Sequence, residues 1–408
     1  MNKKRRIQDG IKNVLTYISA GIAVLVLFSI FFYVFQKGAS TLSWKMLTND
    51  YWAVNYNLTF EDTASGSFTY DGTLPQGEFF SEKFGFAAKD AVSHDKAKQI
   101  IITYIDDNSP LKSAIVDTAG ATYQQPHSIE PGSEVQKFTF KNAKGVNRSA
   151  GTIVNQDAKT MVETLDASGE SLVGLYYKTA GGGIFGSLKA TLMLIGMSLV
   201  IALPVGIFAA IYLNELAKKN RLTSMIRSSI EMLSGVPSIV FGLMGMTVFF
   251  PITAAFGATG PSILLGAMTL SVILLPVIIR QTEEALIVVP MGLRSASLSL
   301  GATETQTIFR VILPSALPGI LSATLLSVSR IIGESAALIY TTGTFVNDNP
   351  KLREGATSLA VQIWSIMSGE QPNFELASAI SIVVLLIVLV LNIGVKVVTN
   401  RLNRKWSV

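Results

Sequence analysis

The chain has 408 residues, of which 49% are hydrophobic and 15% are charged, and its mean hydropathy is +0.44. This composition is typical of an integral membrane protein and excludes a chain that is soluble throughout. The chain has no cysteine, which excludes disulfides, thiolate metal sites and cysteine nucleophiles. Residues 37–183 carry 13 Lys and Arg against 17 Asp and Glu, whereas the remainder is strongly basic, so the two parts face different environments.

Residues 1–36 predict a membrane anchor with a cytosolic N-terminus. A basic run, NKKRR at 2–6, precedes an uncharged stretch at 13–36 that is long enough to cross the hydrocarbon core as a helix. A signal peptide has a similar start, but this apolar stretch is too long for one and no small-residue cleavage site closes it. We therefore expect the segment to be retained, with its basic residues on the cytosolic side.

Residues 37–183 have the charge and turn content of a soluble domain. Short apolar runs that indicate strands lie at 100–105, 138–140 and 171–177. Roughly 140 residues are enough to bury a core, and one preceding span places the domain outside the membrane. Its two histidines, His94 and His127, lack metal-ligand spacing. The domain could dock a partner protein, brace the membrane helices or contact the cell wall, and the sequence leaves these roles open.

The rest of the chain, 184–408, predicts five further spans. The positive-inside rule places the basic loop at 215–228 and the basic C-terminus in the cytosol, and residues 341–375 outside. The uncharged stretch at 232–279 is too long for one span and is divided by glycines and prolines at 251–261. The predicted spans lie at 13–36, 190–214, the two halves of 232–279, 315–340 and 376–395. The sequence therefore predicts an all-α membrane protein of six helices, with a β-rich extracellular domain inserted between helices 1 and 2.

A cytosolic loop at 281–314 predicts two short amphipathic helices joined at Gly301. Pro290 suits the first turn of the first helix, and Gly301 can end it. The apolar stripe of the first helix consists of Leu293, Ala296 and Leu300. Thr303 and Gln306 have the spacing of a capping box at the start of the second helix. The apolar face of the second helix consists of Ile308, Val311 and Ile312.

The second helix of this loop should stop or bend at Pro314, which cannot continue the hydrogen-bond ladder. The loop resembles the EAA loop of ABC importer permeases at Ser295, Ala296, Ser297, Gly301, Val311, Leu313 and Pro314. The family usually has glutamate in place of Ser295 and a larger aliphatic residue in place of Val311. In the family, the loop seats in a groove of a cytosolic ATPase and transmits nucleotide-driven motion. We call residues 281–314 the docking loop; the alternative is an ordinary amphipathic loop between membrane helices.

Four further stretches sharpen the resemblance to one subunit type. They read SGVPSIVFGLMG at 234–245, PVIIRQTEEAL at 276–286, SRIIGESAALIYTTG at 329–343 and TSLAVQIWSIMSG at 357–369. Together they resemble the PstA-type permeases of the phosphate ABC importer, over residues 186–400 but not over 37–183, which such permeases usually lack. The resemblance implies a type I ABC importer permease fold in the bacterial cell membrane. It also implies a PstC-type permease in a pseudo-symmetric pair, two ATPase subunits and an extracellular phosphate-binding protein.

The chain lacks the GxxxxGK[ST] pattern of a P-loop, so it cannot cradle ATP phosphates in that way. An energy-coupled role therefore requires a separate ATPase, which would bind ATP and Mg²⁺. We expect this chain to bind no cofactor or metal and to catalyse no covalent chemistry. Its partners should include the lipid bilayer and no nucleic acid.

Two charged residues of the fifth predicted span suggest an anion pathway. Arg330 lies roughly 24 Å along the helix from Pro314, past the middle of a core about 30 Å thick. An ionised side chain there costs at least about 2.5 kcal/mol, so it should face a pore or a partner. Glu334 is one turn further and close enough to pair with Arg330. The pair either neutralises itself and locks the helix, or Arg330 meets a phosphate oxygen while Glu334 orients it; the resemblance implies a transport role for the matching residues.

Two other groups carry weaker predictions. Arg280 and Glu283 lie at the cytosolic end of the fourth span, where Arg280 is either an interfacial anchor or, as the resemblance implies, a contact for passing phosphate. Gly235, Pro237 and Ser238 should bend the third span and free backbone groups toward a cavity, as a gate or as a plain structural kink.

The sequence leaves two alternatives to a phosphate permease. The first is an ABC permease for another oxyanion, such as molybdate or sulfate, or for an organic solute, because the EAA-type loop is shared across substrates. The second is a surface binding or sensing protein in which residues 37–183 act and the helices only anchor. The charges of Arg330 and Glu334 argue against the second alternative, since a passive anchor has no use for them.

Overall fold

The computed structural model describes residues 3–92, 98–118, 123–218, 220–369 and 372–406. Contacts divide the chain into two units. The sheet unit is Asn49–Gly183, and the helical unit combines Met1–Thr48 with Ile184–Val408. The predicted boundary at residue 37 differs from this division, because residues 37–48 group with the helical unit.

The helices, in chain order, are α1 (Lys3–Gly38), α2 (Trp44–Thr48), α3 (Ala158–Ser168), α4 (Phe185–Ile211), α5 (Arg221–Ser234), α6 (Ser238–Val248), α7 (Phe250–Ala255), α8 (Ile263–Val288), α9 (Met291–Ser299), α10 (Glu304–Thr307), α11 (Leu313–Gly333), α12 (Ala336–Thr341), α13 (Leu359–Ser368) and α14 (Phe374–Trp406). The strands are β1 (Asn55–Ala64), β2 (Glu78–Ser81), β3 (Phe86–Val92), β4 (Lys98–Ile105), β5 (Ala114–Val116), β6 (Pro126–His127), β7 (Glu134–Lys141), β8 (Asn147–Ala150) and β9 (Ser171–Lys178). Wide π-turns follow α4 at Tyr212–Leu216 and precede α11 at Ile308–Ile312.

The sheet unit is built on one antiparallel sheet in the order β2-β3-β4-β7-β9-β1-β5-β6, with β8 paired to β7. The three apolar runs predicted as strands are confirmed as β4, β7 and β9, which are neighbours at its centre. Their alternating side chains bury an aromatic core that includes Phe84, Phe86, Phe138, Phe140 and Tyr177. Helix α3, capped by the Asp157 carboxylate, packs on β2 and β3.

The chain enters and leaves the sheet unit at adjacent points. The backbone N–H of Gly182 donates to the carbonyl of Tyr51 at 2.9 Å, and that of Gly183 donates to Asp50 at 3.0 Å. A Cβ atom on Gly183 would lie 1.9 Å from the carbonyl oxygen of Asn49, so only glycine permits this approach. The two ends of the unit therefore touch.

The helical unit is a multi-pass membrane structure. Within the described residues, the helices long and apolar enough to cross a bilayer are Gly10–Gly38, Phe185–Leu216, Ile263–Val288, Glu304–Gly333 and Phe374–Thr399. Helices α4 and α8 form the central pair and bury small and aliphatic side chains between them. Helix α11 packs on α8 and on α14, and α1 packs on α14.

The third predicted span is broken. The sequence predicts a helix that begins near residue 232, but α5 ends at Ser234, α6 begins at Ser238, and the two are bent by 107°. Gly235 caps α5, and Pro237 lacks the N–H that a continuous helix would need at that point. Helix α5 is amphipathic and buries none of its side chains fully, unlike a core helix.

The fifth predicted span also differs from the structure. The sequence predicts one helix over 315–340, but α11 ends at Gly333 and a short α12 follows after Glu334. Pro314 does not stop the helix, since one helical segment runs through it from Glu304 to Gly333. It lies in the first turn of α11, directly after the π-turn at Ile308–Ile312, where its missing N–H is tolerated.

Residues 341–375, predicted as a loop, contain helix α13. Its first turn is capped by Ser358, whose hydroxyl accepts from the N–H of Val361 at 3.3 Å. Helix α13 packs against α14 and α4. A helix of ten residues is too short to signal a span, and for that reason the sequence pattern did not single it out.

Candidate functional site

In the helical unit, the break between α5 and α6 lies next to the break between α11 and α12. Ser238, the first residue of α6, donates its hydroxyl to Glu334 Oε2 at 3.0 Å. Glu334 Oε1 accepts from the backbone N–H of Ala337 in α12 at 3.3 Å. The Glu334 side chain is only 9% exposed. The Glu334 carboxylate, which lies between α11 and α12, is thus hydrogen-bonded to the start of α6.

Arg330 lies in the last turn of α11, four residues before Glu334. It takes no part in the hydrogen bonds of Glu334 to Ser238 and Ala337. Its side chain is exposed, and it forms no salt bridge with any residue in the described ranges. The predicted pairing with Glu334 is wrong for this structure. Because α11 ends at Gly333, Glu334 leaves the helical face that the i,i+4 rule assumes and bonds to Ser238 instead. We call Ser238, Arg330 and Glu334 the helix-break site.

The residues predicted to bend the third span have separate positions. Gly235 caps α5, Pro237 precedes α6, and Ser238 alone reaches the helix-break site. The predicted bend is present, since α5 and α6 differ in direction by 107°. The link between Ser238 and Glu334 could not be predicted, because 96 residues separate them in sequence.

A charged cleft lies between α5 and the C-terminal half of α8. It has a volume of about 230 Å³, and its polar lining consists of Arg227, Glu231, Ser234, Arg280, Glu283 and Glu284. Glu283, whose side chain is 13% exposed, forms a salt bridge of 2.9 Å with Arg227 of α5. Arg280 is exposed and pairs at 3.5 Å with Glu284 on its own helix. The structure therefore brings Arg280 and Glu283 to one cleft but gives them different partners.

The docking loop has the predicted two-part form. Gly301 follows the first helix, α9, with φ of +85°, a conformation that disfavours every other residue. The capping box is confirmed, with Gln306 N donating to Thr303 Oγ1 at 3.2 Å and Thr303 N donating to Gln306 Oε1 at 3.1 Å. The hydroxyl groups of Ser297 and Thr307 are 2.9 Å apart and join the two parts.

The docking loop presents its first helix outward and its second inward. Ser295 and Ala296 are exposed, and Leu300 is 89% exposed, so the predicted apolar stripe of α9 is uncovered. In the second part, Ile308 and Ile312 are buried in an apolar cluster with residues of α8 and α11. The remaining matched positions, Val311, Leu313 and Pro314, are half-buried. Val311 does not share the buried face because the π-turn changes the helical period there.

Metal chemistry has no support in the described part of the chain. No group of three or more His, Cys, Asp or Glu side chains is placed there to hold a metal ion. His127 instead contacts the Tyr177 hydroxyl through Nε2 and stacks on the Tyr56 ring at 4.6 Å. Burial lowers the pKa of His127, although the nearby Glu130 charge acts in the opposite direction. His94 lies outside the described residues.

Comparison with known proteins places the helical unit in a family. Residues 202–408 match the family model of the binding-protein-dependent transport system inner membrane component. The chain is 35% identical over 294 residues to the probable ABC transporter permease protein YqgI of Bacillus subtilis, covering 67% of this chain and 99% of that protein. It is 36% identical over 173 residues to the phosphate transport system permease protein PstA 1 of Mycobacterium tuberculosis, covering 42% of this chain and 55% of that protein.

Among solved structures, the chain is similar to the MetNI methionine ABC transporter in inward-facing conformations, with a TM-score of 0.43, 24% identity, and coverage of 54% of this chain and 94% of that chain. The named relatives YqgI and PstA 1 are permease subunits rather than enzymes. With more than half of its length on the family model, the chain belongs to the binding-protein-dependent transport system inner membrane components, as a PstA-type permease subunit of an ABC importer.

Proposed function

We propose that this chain forms one half of the translocation pathway of an ATP-driven importer of inorganic phosphate. The observation that carries the proposal is Arg330, an exposed cation in an apolar helix that has no salt bridge to any described residue. An unpaired arginine at membrane depth is costly unless it faces a pathway or a partner. The relatives named as PstA permeases of the phosphate transport system support phosphate as the anion.

The helix-break site suits passage better than tight binding. The guanidinium of Arg330 offers planar donors that match a phosphate oxygen pair. Glu334 is an acidic residue four positions from Arg330 in sequence. Its two oxygens accept hydrogen bonds from Ser238 and Ala337. A bound phosphate would therefore gain from Arg330 and be opposed by the Glu334 charge, which keeps the site weak enough to release its substrate. Arg280 serves as a second, weaker contact in the cleft at the cytosolic end of α8, beside Glu283.

The proposal includes a membrane arrangement. The bent pair α5 and α6 supplies the sixth crossing, which brings the count to six with both termini in the cytosol. The sheet unit then lies outside, and the docking loop lies inside. The positive-inside rule and the exposed apolar side chains of α9 support this orientation.

The proposed partners follow from the architecture of such importers. A PstC-type permease completes the pathway as a pseudo-symmetric pair, and an extracellular phosphate-binding protein delivers the anion. Two ATPase subunits bind ATP and Mg²⁺ and seat on the docking loop, whose exposed Leu300 and Met291 would be covered there. Movement of the ATPase subunits then drives alternating access, so that this chain binds no nucleotide.

Uptake of labelled phosphate into vesicles tests the proposal directly. The vesicles contain this chain, its partner permease, the ATPase and the binding protein, with ATP inside the compartment that holds the ATPase. We expect uptake that requires this chain and resists an excess of sulfate and molybdate. Competition by either anion would move the assignment to another oxyanion. An assembled complex that takes up none of the three would contradict the oxyanion function.

A further inference from the structure

The most buried salt bridge between described residues joins the docking loop to the end of α4. Arg294 of α9 contacts Glu215 through Nη1 and Oε2, and the two side chains are only 17% and 7% exposed. The bridge spans 79 residues of sequence. Neither residue belongs to the positions at which the loop resembles the EAA pattern. A buried pair of this kind is costly to break, because the remaining charge is left uncompensated.

Arg294 also reaches a second helix. Its Nη2 donates to the carbonyl oxygen of Leu286 near the end of α8 at 2.9 Å. The other oxygen of Glu215 accepts from the side-chain amide of Asn214 at 2.8 Å. One guanidinium of α9 therefore holds the ends of both central helices, α4 and α8, with directional bonds.

A second arginine continues this connection toward the charged cleft. Arg227 of α5 donates Nη2 to the carbonyl oxygen of Leu213 at 2.8 Å, within the π-turn that also carries Glu215. Its Nη1 forms the 2.9 Å salt bridge with Glu283 of α8. Glu283 lies three residues from Arg280. The π-turn at Tyr212–Leu216 is thus bracketed by two arginines, one from the docking loop and one from the cleft.

Helix α9 has little else to fix it. No side chain of α9 is fully buried, and Met291, Leu293 and Leu298 are exposed. Its contacts with the second part of the loop are polar at Ser297. Since no side chain of α9 is fully buried, Arg294 supplies its charged attachment to the ends of α4 and α8.

We propose that the Arg294–Glu215 salt bridge is the linkage through which displacement of α9 moves α4 and α8. The inference rests on the proposed function, and it makes Arg294 and Glu215 positioning residues that do not touch the transported anion. When α9 is displaced, the buried charges resist separation, so the helix ends follow α9 as one body. Without the salt bridge, α9 would move independently, and α4 and α8 would not follow its displacement.

Charge reversal and its compensation test the linkage in the assembled transporter. Arg294→Glu and Glu215→Arg should each lower phosphate uptake per ATP hydrolysed at least about fivefold, because each places like charges in a buried contact. The double exchange should recover most of that loss. Arg294→Lys, which keeps the charge but loses the second donor, should give an intermediate ratio. The exposed Arg221, which has no salt bridge among the described residues, supplies the control Arg221→Gln with an unchanged ratio.

A second measurement is independent of the transported anion. Because the chain has no cysteine, spin labels can be placed at Met291→Cys in α9 and Tyr212→Cys at the end of α4, both exposed positions. With the native bridge, the label distance should stay constant when ATP binds, and in Arg294→Leu it should change or broaden. A distance that stays constant in Arg294→Leu would overturn the linkage, as would normal coupling in both single reversals. Failure of native phosphate uptake would instead contradict the proposed function and leave the label result decisive for the linkage.

Discussion

The docking loop and the helix-break site differ in how their charged residues are paired and buried. At the docking loop, Arg294 is half-buried, pairs with Glu215 and donates to a backbone carbonyl. At the helix-break site, Arg330 is exposed and forms no salt bridge within the described residues, while Glu334 is buried and bonded to neutral donors. Paired and buried charges fix helices relative to one another, whereas an unpaired exposed charge remains available to a ligand.

This contrast separates two tasks within one chain. A coupling element must transmit displacement, which requires contacts that are expensive to break. A pathway element must bind and release repeatedly, which requires a contact that is incomplete until the ligand arrives. Substitutions at the two places should therefore fail differently, one by uncoupling and the other by loss of passage.

The largest effect is expected at Arg330. Arg330→Gln should lower phosphate uptake about ten- to hundredfold, since one charge-assisted contact to the anion is lost. Vesicle uptake at matched amounts of assembled complex measures it. Lys396→Gln removes an exposed cation in the C-terminal part of α14 and serves as the control. Unchanged uptake in Arg330→Gln would show that Arg330 is not part of the pathway. It would also contradict the functional contrast between the docking loop and the helix-break site.

The next effect is expected at Gly301, by a matched pair of substitutions. Gly301→Ala forces a Cβ into φ of +85°, at a cost of roughly 1–2 kcal/mol, and should reduce ATPase co-purification several-fold. Gly292→Ala adds the same atom to the same loop, also in open space, but without a positive φ. It should leave ATPase binding unchanged. Equal behaviour of the two variants would contradict a shape requirement at Gly301.

A smaller effect is expected at Ser238. Ser238→Ala removes a hydrogen bond to a carboxylate, a loss of about 1.5–3 kcal/mol where such groups are buried, and should lower uptake several-fold by loosening the two helix breaks. Ser238→Thr keeps the hydroxyl and should restore most of the activity. Ser322→Ala, at an exposed serine of α11, is the control. If Ser238→Thr were as defective as Ser238→Ala, side-chain shape rather than the hydrogen bond would explain the loss.

The smallest effect is expected at Arg280. Its guanidinium is 68% exposed and pairs with the exposed Glu284, an arrangement worth less than about 1 kcal/mol. Arg280→Gln should therefore lower uptake only two- to fivefold or so, with complex assembly intact. Glu284→Gln should have less effect still. A loss as large as that of Arg330→Gln would show that the cleft, and not only the helix-break site, limits passage.

Local patterns predict much of this molecule because local rules govern them. The apolar run at 171–177 indicates a strand, and the spacing of Thr303 and Gln306 indicates a capping box, since both depend on neighbours within a few residues. The glycine and proline at 235–237 likewise indicate a bend. Their physical causes lie in the backbone of the residues themselves.

The missed features depend on contacts between distant segments. The bond from Ser238 to Glu334 and the bridge from Arg294 to Glu215 join residues far apart in sequence, which spacing rules cannot detect. The predicted pair of Arg330 and Glu334 fails for the complementary reason. It assumes an unbroken helix, whereas α11 ends at Gly333 and α12 packs against α6.

The touching ends of the sheet unit bear on how this chain could have arisen. Residues Asn49 and Gly183 lie side by side within the sheet unit, and within the helical unit the N–H of Ile184 bonds to the carbonyl oxygen of Met46 at 2.9 Å. An insertion whose two ends meet leaves no gap when it is removed. A single recombination event between 48 and 184 could therefore add or delete the whole unit within a lineage while the helices kept their places, so the unit is a separable cassette.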